Sequence, residues 1–240
     1  VSKITVVMPT YNQGKFIREA VNSILMQTFQ DFELIIVDDG STDNTPGMHF
    51  GGGDKVRYIR KPNGGTGSAL NLGFQHATGK YETWFASDNK YYPEAFRRMH
   101  DFLETHPDID FVYTNCEIGQ MDQTGLVEVK RKNLTSEVNQ DWDPHNLRHH
   151  YFLGIVWLWR RELREKCGDF QLEPCEDYDM VLRMVDAGGR FAYLPECLGW
   201  FRRHYENISW KLAQSQDRDY YSRFVREKAL KRRQAAEAAT

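Results

Sequence analysis

Apolar and polar positions follow two rhythms along the first half of the chain. Ile4-Thr5-Val6-Val7-Met8 is a short run rich in β-branched residues, ended by Pro9, and predicts a buried strand. Phe16, Ile17, Ala20, Val21, Ile24 and Leu25 then recur at helical spacing, so residues 14–27 read as a helix with one apolar stripe. The alternation repeats. Strands are predicted over Phe32 to Val37, Val56 to Ile59, Tyr81 to Ala86 and Ile109 to Cys116, with helices over Gly67 to His76 and after Pro93. Near-continuous apolar strands alternating with helices predict a mainly parallel sheet with helices on both faces. Ligands of such sheets bind beyond the carboxyl ends of the strands.

The second half is less regular. From about residue 118 to 150 turn formers dominate, among them Gly119, Asp122, Gly125 and the run Asn139 to Pro144, and loops of that length usually serve function. Ile155 to Trp159 returns to strand, Tyr178 to Ala187 is helical with Gly188-Gly189 as its stop, and Phe191 to Leu194 is a further strand. Beyond Ser209 the pattern is helical, and residues 211–233 hold eight Lys/Arg against three Asp/Glu. The expected organisation is one α/β domain over residues 1–210, followed by a basic helical tail over 211–240. Residues 1–117 form the ligand-binding half of that domain and 118–210 the second half.

Composition narrows the class without naming it. The 240 residues are 40% hydrophobic and 27% charged, enough apolar material for a core. A net charge of −3 argues against a nucleic-acid partner. Cys116, Cys167, Cys175 and Cys197 form no C-x-x-C pair, which removes zinc-ribbon and thioredoxin-type chemistry and suits a reducing, cytoplasmic compartment. No apolar run approaches the ~20 residues that span a bilayer, and no signal-peptide pattern is visible. The basic tail suits either a solvated or packed face, or an anionic surface such as the inner face of a membrane.

Four polar segments follow the first four strands: Pro9-Thr10-Tyr11-Asn12, Asp38-Asp39-Gly40-Ser41, Asn63-Gly64-Gly65 and Ser87-Asp88-Asn89. One polar loop after a strand is a commonplace turn. Four in succession, each with a carboxylate, an amide or a glycine pair, point to one ligand site. The phosphate loop G-x-x-x-x-G-K-[ST] is missing, and Pro9 to Gly14 stands where a dinucleotide fingerprint would. Lys15, which a nucleotidyltransferase would need in a loop, falls inside the predicted helix.

These segments, with Asn71-Leu72-Gly73, Glu176-Asp177-Tyr178-Asp179 and Phe201-Arg202-Arg203-His204, resemble family 2 glycosyltransferases of the GT-A fold across roughly residues 4–210. The resemblance implies a Rossmann-like α/β domain that takes a sugar from a nucleoside-diphosphate donor. It gives nucleoside contacts to Thr10, Tyr11 and Asp39, with Pro9, Asn12, Asn63, Gly64, Gly65 and Ser87 around the donor. Asp38 reads instead as an Asx turn under Gly40-Ser41.

The same family carries Asp-x-Asp after strand four, where this chain has Ala86-Ser87-Asp88. One carboxylate is therefore left to hold a divalent cation, Mn2+ or Mg2+, on the diphosphate. By the same resemblance His204 joins Asp88 on the metal, Arg202 faces phosphate, and Asp177 is the general base, with Glu176 as the neighbouring candidate. Asn89 offers a further carbonyl oxygen. Trp142 and Trp200 are candidates to stack on an acceptor sugar, whereas His145, His149 and His150 read as surface residues. The expected reaction is inverting transfer from a UDP-linked sugar to a hydroxyl of a glycan or lipid-linked acceptor. Ala86 also motivates a non-catalytic alternative, a domain that binds the nucleotide sugar without turnover.

Overall fold

A computed structural model describes residues 3–121, 127–130, 147, 153–171, 175–207 and 220–238. Trp142, Trp210, His145, His149, His150 and most of the 118–150 segment lie outside these residues.

The chain runs β1 (Ile4–Thr10), α1 (Ile17–Leu25), β2 (Phe32–Asp38), β3 (Val56–Arg60), α2 (Thr66–Gln75), β4 (Tyr81–Trp84), β5 (Lys90–Tyr91) and α3 (Ala95–Thr105). It continues as β6 (Phe111–Met121), β7 (Val127–Lys130), β8 (Trp157–Arg160), α4 (Arg161–Cys167), α5 (Glu176–Asp186), β9 (Phe191–Arg203) and α6 (Tyr220–Ala238). Among the described residues nine strands join in one sheet, ordered β3-β2-β1-β4-β8-β6-β9-β5, with β7 paired to β6. The first four are parallel. Beyond β4 the sheet is mixed, because β8 runs antiparallel to both β4 and β6 while β6 and β9 are parallel.

Strand alternation sends side chains to two faces. Ile4, Val6 and Met8 of β1 join Leu34 and Ile36 of β2 under α1 and α3, through Ile17, Val21, Phe96 and Met99. Val7, Ile35 and Val37 face the other way, toward Leu70 and Phe74 of α2, Leu163 of α4, Met180 and Met184 of α5, and Val225 and Ala229 of α6. Helices therefore cover both faces, as the pattern predicts. Gly73 lets α2 lie close, since a Cβ there would sit 2.3 Å from Val7 Cγ1.

Two elements depart from the sequence pattern. α1 begins at Ile17, so Lys15 lies in the preceding turn and pairs with Glu206 at 3.6 Å. β9 runs on to Arg203 despite Pro195; the register to β6 jumps from Thr114↔Leu194 to Asn115↔Cys197, and that bulge absorbs a residue without a ladder N–H. The tail helix α6 packs on α5, with Arg232 Nη1 2.7 Å from Asp179 Oδ1 and Arg233 Nε 3.9 Å from Asp186 Oδ1. Among the described residues no helix is long and apolar enough to cross a membrane. The four cysteines are free thiols.

Candidate active site

The parallel register of β1, β2 and β3 aligns Thr10 with Asp38 and Asp38 with Arg60, so their following loops share one edge of the sheet. The ladder continues one step beyond, through Asp39 N–H to Thr10 O and Lys61 N–H to Asp38 O, each 2.9 Å. Asp38 is fully buried. Its Oδ1 accepts from Ser41 N–H at 2.8 Å, and its Oδ2 from the Tyr58 hydroxyl. The carboxylate therefore shapes the turn under Gly40, whose φ of 81° suits glycine.

Asp39, also buried, organises the neighbouring loop. Its Oδ1 accepts from Lys61 Nζ at 2.6 Å and Gly64 N–H at 2.9 Å, and its Oδ2 from Gly65 N–H at 2.8 Å. Asn63 Nδ2 donates to the Asp39 carbonyl at 2.9 Å. A cleft of about 500 Å³ opens there, lined by Gly40, Arg60, Lys61, Pro62 and Asn63.

Asn12 stitches the first loop to the second. At a left-handed φ of 53°, which asparagine tolerates, its Oδ1 accepts from Thr42 N–H at 2.7 Å while its own N–H donates to Ser41 Oγ at 2.9 Å. Pro9 and Thr10 lie buried beneath, and Tyr11 is left 47% exposed at the loop's outer face.

A second cluster forms where β9 returns beside β4. β5, two residues long, pairs Lys90 with Trp200 and Tyr91 with Gly199, which sets the turn holding buried Ser87 and partly buried Asp88 against the end of β9. His204 Nε2 lies 3.1 Å from Asp88 Oδ2, and Glu206 N–H points at His204 Nδ1 from 3.3 Å. Asp88 Oδ2 also accepts from Asn207 Nδ2 at 2.9 Å. Asp88 Oδ1 has no protein donor among the described residues. Phe16 packs on the imidazole with ring centroids 4.6 Å apart.

Arg202 is turned inward rather than toward open phosphate. Its Nε donates to the Asp88 carbonyl at 2.9 Å, its Nη2 pairs with Glu19, and the guanidinium lies 4.8 Å from the Phe16 ring centre and 4.6 Å from that of Trp200. The Asn89 side-chain carbonyl accepts from Arg202 N–H at 2.9 Å, which leaves it one lone pair. One expectation fails through prior occupation. Trp200 is buried between Lys90 and Arg202 and has no free face for a sugar.

Glu176 and Asp177 form a separate pair at the N-terminus of α5, reached through Cys175 in a left-handed conformation. Burial first, then the charge of Asp177, pushes the Glu176 carboxyl up to about 7. Asp177 Oδ1 accepts from Tyr178 N–H at 2.7 Å. Asp179 does not face this pair; it is buried and held by Arg183 and Arg232, at 2.8 and 2.7 Å.

The model for glycosyl transferase family 2 matches residues 5–166. The chain belongs to that family. An uncharacterized glycosyltransferase of Rickettsia prowazekii is 34% identical over 74% of the chain, and the chain spans 57% of that relative's length. Among solved structures, S. aureus TarS 1–349 in complex with UDP-GlcNAc superposes with a TM-score of 0.71 at 20% identity, over 95% of this chain and 71% of the other. The mannosyltransferase PcManGT of Pyrobaculum calidifontis, in complex with GDP-Man and Mn2+, gives 0.68 at 22% identity, over 88% and 60%. These likenesses show the fold of this family 2 chain to be GT-A.

Within that fold the donor set of the second cluster fits a divalent cation, but sparsely. The oxygen a hard cation would take is Asp88 Oδ1, because Oδ2 already faces His204 Nε2 at 3.1 Å and Asn207 Nδ2 at 2.9 Å. Among the described residues no group of three His, Cys, Asp or Glu assembles. Phosphate oxygens and water would have to complete the shell. Glu19 and Lys61 were not singled out by sequence, and Asn207 was visible only as the first residue of the N-x-S glycosylation triplet Asn207-Ile208-Ser209. Each reaches its partner across more than 20 residues of chain.

Proposed function

We propose that this chain transfers a sugar from a nucleoside-diphosphate donor, UDP-linked, to an acceptor hydroxyl, with inversion at the anomeric carbon. The observation that carries this reading is the meeting of Asp88 and His204, 3.1 Å apart, across more than a hundred residues of sequence.

In this reading Asp39 and Thr10 meet the nucleoside, and the exposed Tyr11 ring stacks on the base. Pro9, Asn12, Asn63, Gly64 and Gly65 shape the wall around it. Asp88 would hold Mn2+ or Mg2+ through Oδ1, with His204 against the other carboxylate oxygen and Ser87 in the same turn. The cation, when bound, supplies a positive charge to the departing diphosphate. Arg202 serves by fixing the Asp88 carbonyl.

Asp177 takes the proton of the acceptor hydroxyl as that oxygen bonds to the anomeric carbon and the bond to the phosphate oxygen breaks. The nucleoside diphosphate leaves, and no covalent enzyme intermediate forms. Glu176 stays protonated below pH about 7, so it adds no second charge beside the base in that range. The acceptor is a glycan or a lipid-linked sugar, and residues 118–150 contribute to its choice.

A panel of nucleotide sugars, each tested by thermal shift with and without Mn2+, checks this. UDP-sugars with Mn2+ raise the melting temperature and Asp88→Ala removes the Mn2+-dependent part. A rise independent of Mn2+, or equal in Asp88→Ala, refutes the metal assignment. Binding without any transfer would favour the non-catalytic alternative.

A further inference from the structure

Asn207 holds a position that nothing in the motif pattern assigns. Its side chain is buried, and both ends of its amide are used. Oδ1 accepts from His204 N–H at 2.5 Å, which closes the 204–207 turn together with Asn207 N–H donating to His204 O at 3.1 Å. Nδ2 donates to Asp88 Oδ2 at 2.9 Å, the same oxygen that faces His204 Nε2. The two ends of one tight turn thus grip one carboxylate oxygen.

We infer that Asn207 is a positioning residue for the cation site, fixing the rotation of the Asp88 carboxylate so that Oδ1 is presented outward. This rests on the proposal above that Asp88 is the cation ligand. The chemistry explains the residue type. The position needs an acceptor for His204 N–H and, two bonds away, a donor to a carboxylate, and an amide supplies both in one side chain. Aspartate would lack the donor and set a second negative charge against Asp88. Serine would keep the acceptor as an ST turn but fall short of Asp88.

The need is sharper here than where two carboxylates share a cation. With Ala86 in the place of the other, the orientation of a single carboxylate sets the affinity. The other tie across this turn, Lys15 to Glu206, is an exposed surface pair with little hold. The same geometry decides the triplet Asn207-Ile208-Ser209: the nitrogen that glycosylation would modify is buried and donates to Asp88, so this triplet is not a glycan acceptor in the folded chain.

The test uses the full chain and three variants, Asn207→Ala, Asn207→Ser and Asp88→Ala. UDP affinity is measured by calorimetry in Mn2+ and in EDTA, Mn2+ binding in the presence of UDP by the loss of its free-ion EPR signal, and uridine affinity alongside. Both Asn207 variants should weaken Mn2+ with UDP by about 10–100-fold. Uridine affinity should stay near wild type, since the nucleoside loops are tied elsewhere. Mn2+ binding within twofold of wild type in Asn207→Ser, with Asp88→Ala deficient, overturns the role of Asn207 alone. Retention of Mn2+ binding in Asp88→Ala overturns the cation reading on which it rests. A parallel fall in uridine affinity would mark Asn207 as a general structural residue and also overturn the inference.

Discussion

At the scale of single residues, two carboxylates side by side at the start of α5 have been given different environments. Glu176 is raised to about 7 by burial and by Asp177. For an acid whose pKa is raised in the folded state, the proton is held more tightly folded than unfolded. Its favourable contribution is complete below the unfolded pKa near 4.5 and is lost as pH rises toward 7. Glu176→Gln should therefore gain about 1–2 kcal/mol over wild type at pH 8 and little at pH 4.5. Chemical denaturation at the two pH values checks this, and an equal change at both would contradict it. Asp177→Asn should lower transfer by about 10²–10⁴-fold while donor binding, followed by calorimetry, stays intact. Wild-type-like turnover in that variant would remove Asp177 from the base role. A third residue-level expectation concerns the sparse donor set: Mn2+ alone should bind weakly and UDP should tighten it, with Mn2+ tightening UDP by the same factor. Titrations in both orders measure the two factors.

At the scale of elements, the fold depends on close approach as much as on apolar pattern. α2 seats on β1 and β2 at Gly73, where a Cβ would meet Val7 Cγ1 at 2.3 Å and Val37 Cγ2 at 3.3 Å. Gly73→Ala gains helix propensity but must displace α2 from the sheet, and we expect a net loss of about 1–3 kcal/mol, seen as a lower denaturation midpoint with an unchanged slope. A stabilised variant would show that the helix shifts at no cost. The helices and the parallel strands were legible because their periods are long and clean. β5 was not, because Lys90-Tyr91 is too short to show a period and exists only through its pairing with Gly199 and Trp200. The length of β9 was hidden by Pro195, which reads as a stop until the bulge opposite Thr114 and Asn115 is seen. Arg161 to Cys167 alternates charge with few apolar positions, so α4 carried no stripe to find.

At the scale of the whole molecule, two parts of the site are built by different means. The end around Asp39 is local, made of loops that follow neighbouring parallel strands. Its motifs could be read in order, and Asn12, Asp38 and Asp39 sit where that order puts them. The Asp88–His204 cluster is assembled from segments far apart in the chain, by β5 and β9, and its partners Glu19 and Lys90 carried no separate signal. Arg202 was visible as a motif, but its inward direction follows from Phe16 and Trp200 on either side and from Glu19. The tail joins the same body through buried Val225 and Ala229 and the ion pair of Arg232 with Asp179. Arg183 remains on Asp179 and the Arg232 side chain is 31% exposed, so Arg232→Ala should cost about 1–2 kcal/mol rather than the full value of a buried pair. A melting temperature unchanged from wild type would show α6 to be independent of α5.

The Asp39 carboxylate has already shed its water and already faces Lys61 and two backbone amides. A group arriving there strips no hydration shell and orders no loop; it joins an arrangement that is complete without it. Such a contact adds modestly to affinity. Its effect falls on the wrong ligand, since a group that brings a lone pair to Asp39 meets a buried negative charge with no water to intervene. Selectivity at this end of the cleft is therefore set before the ligand arrives, as a standing property of the folded chain.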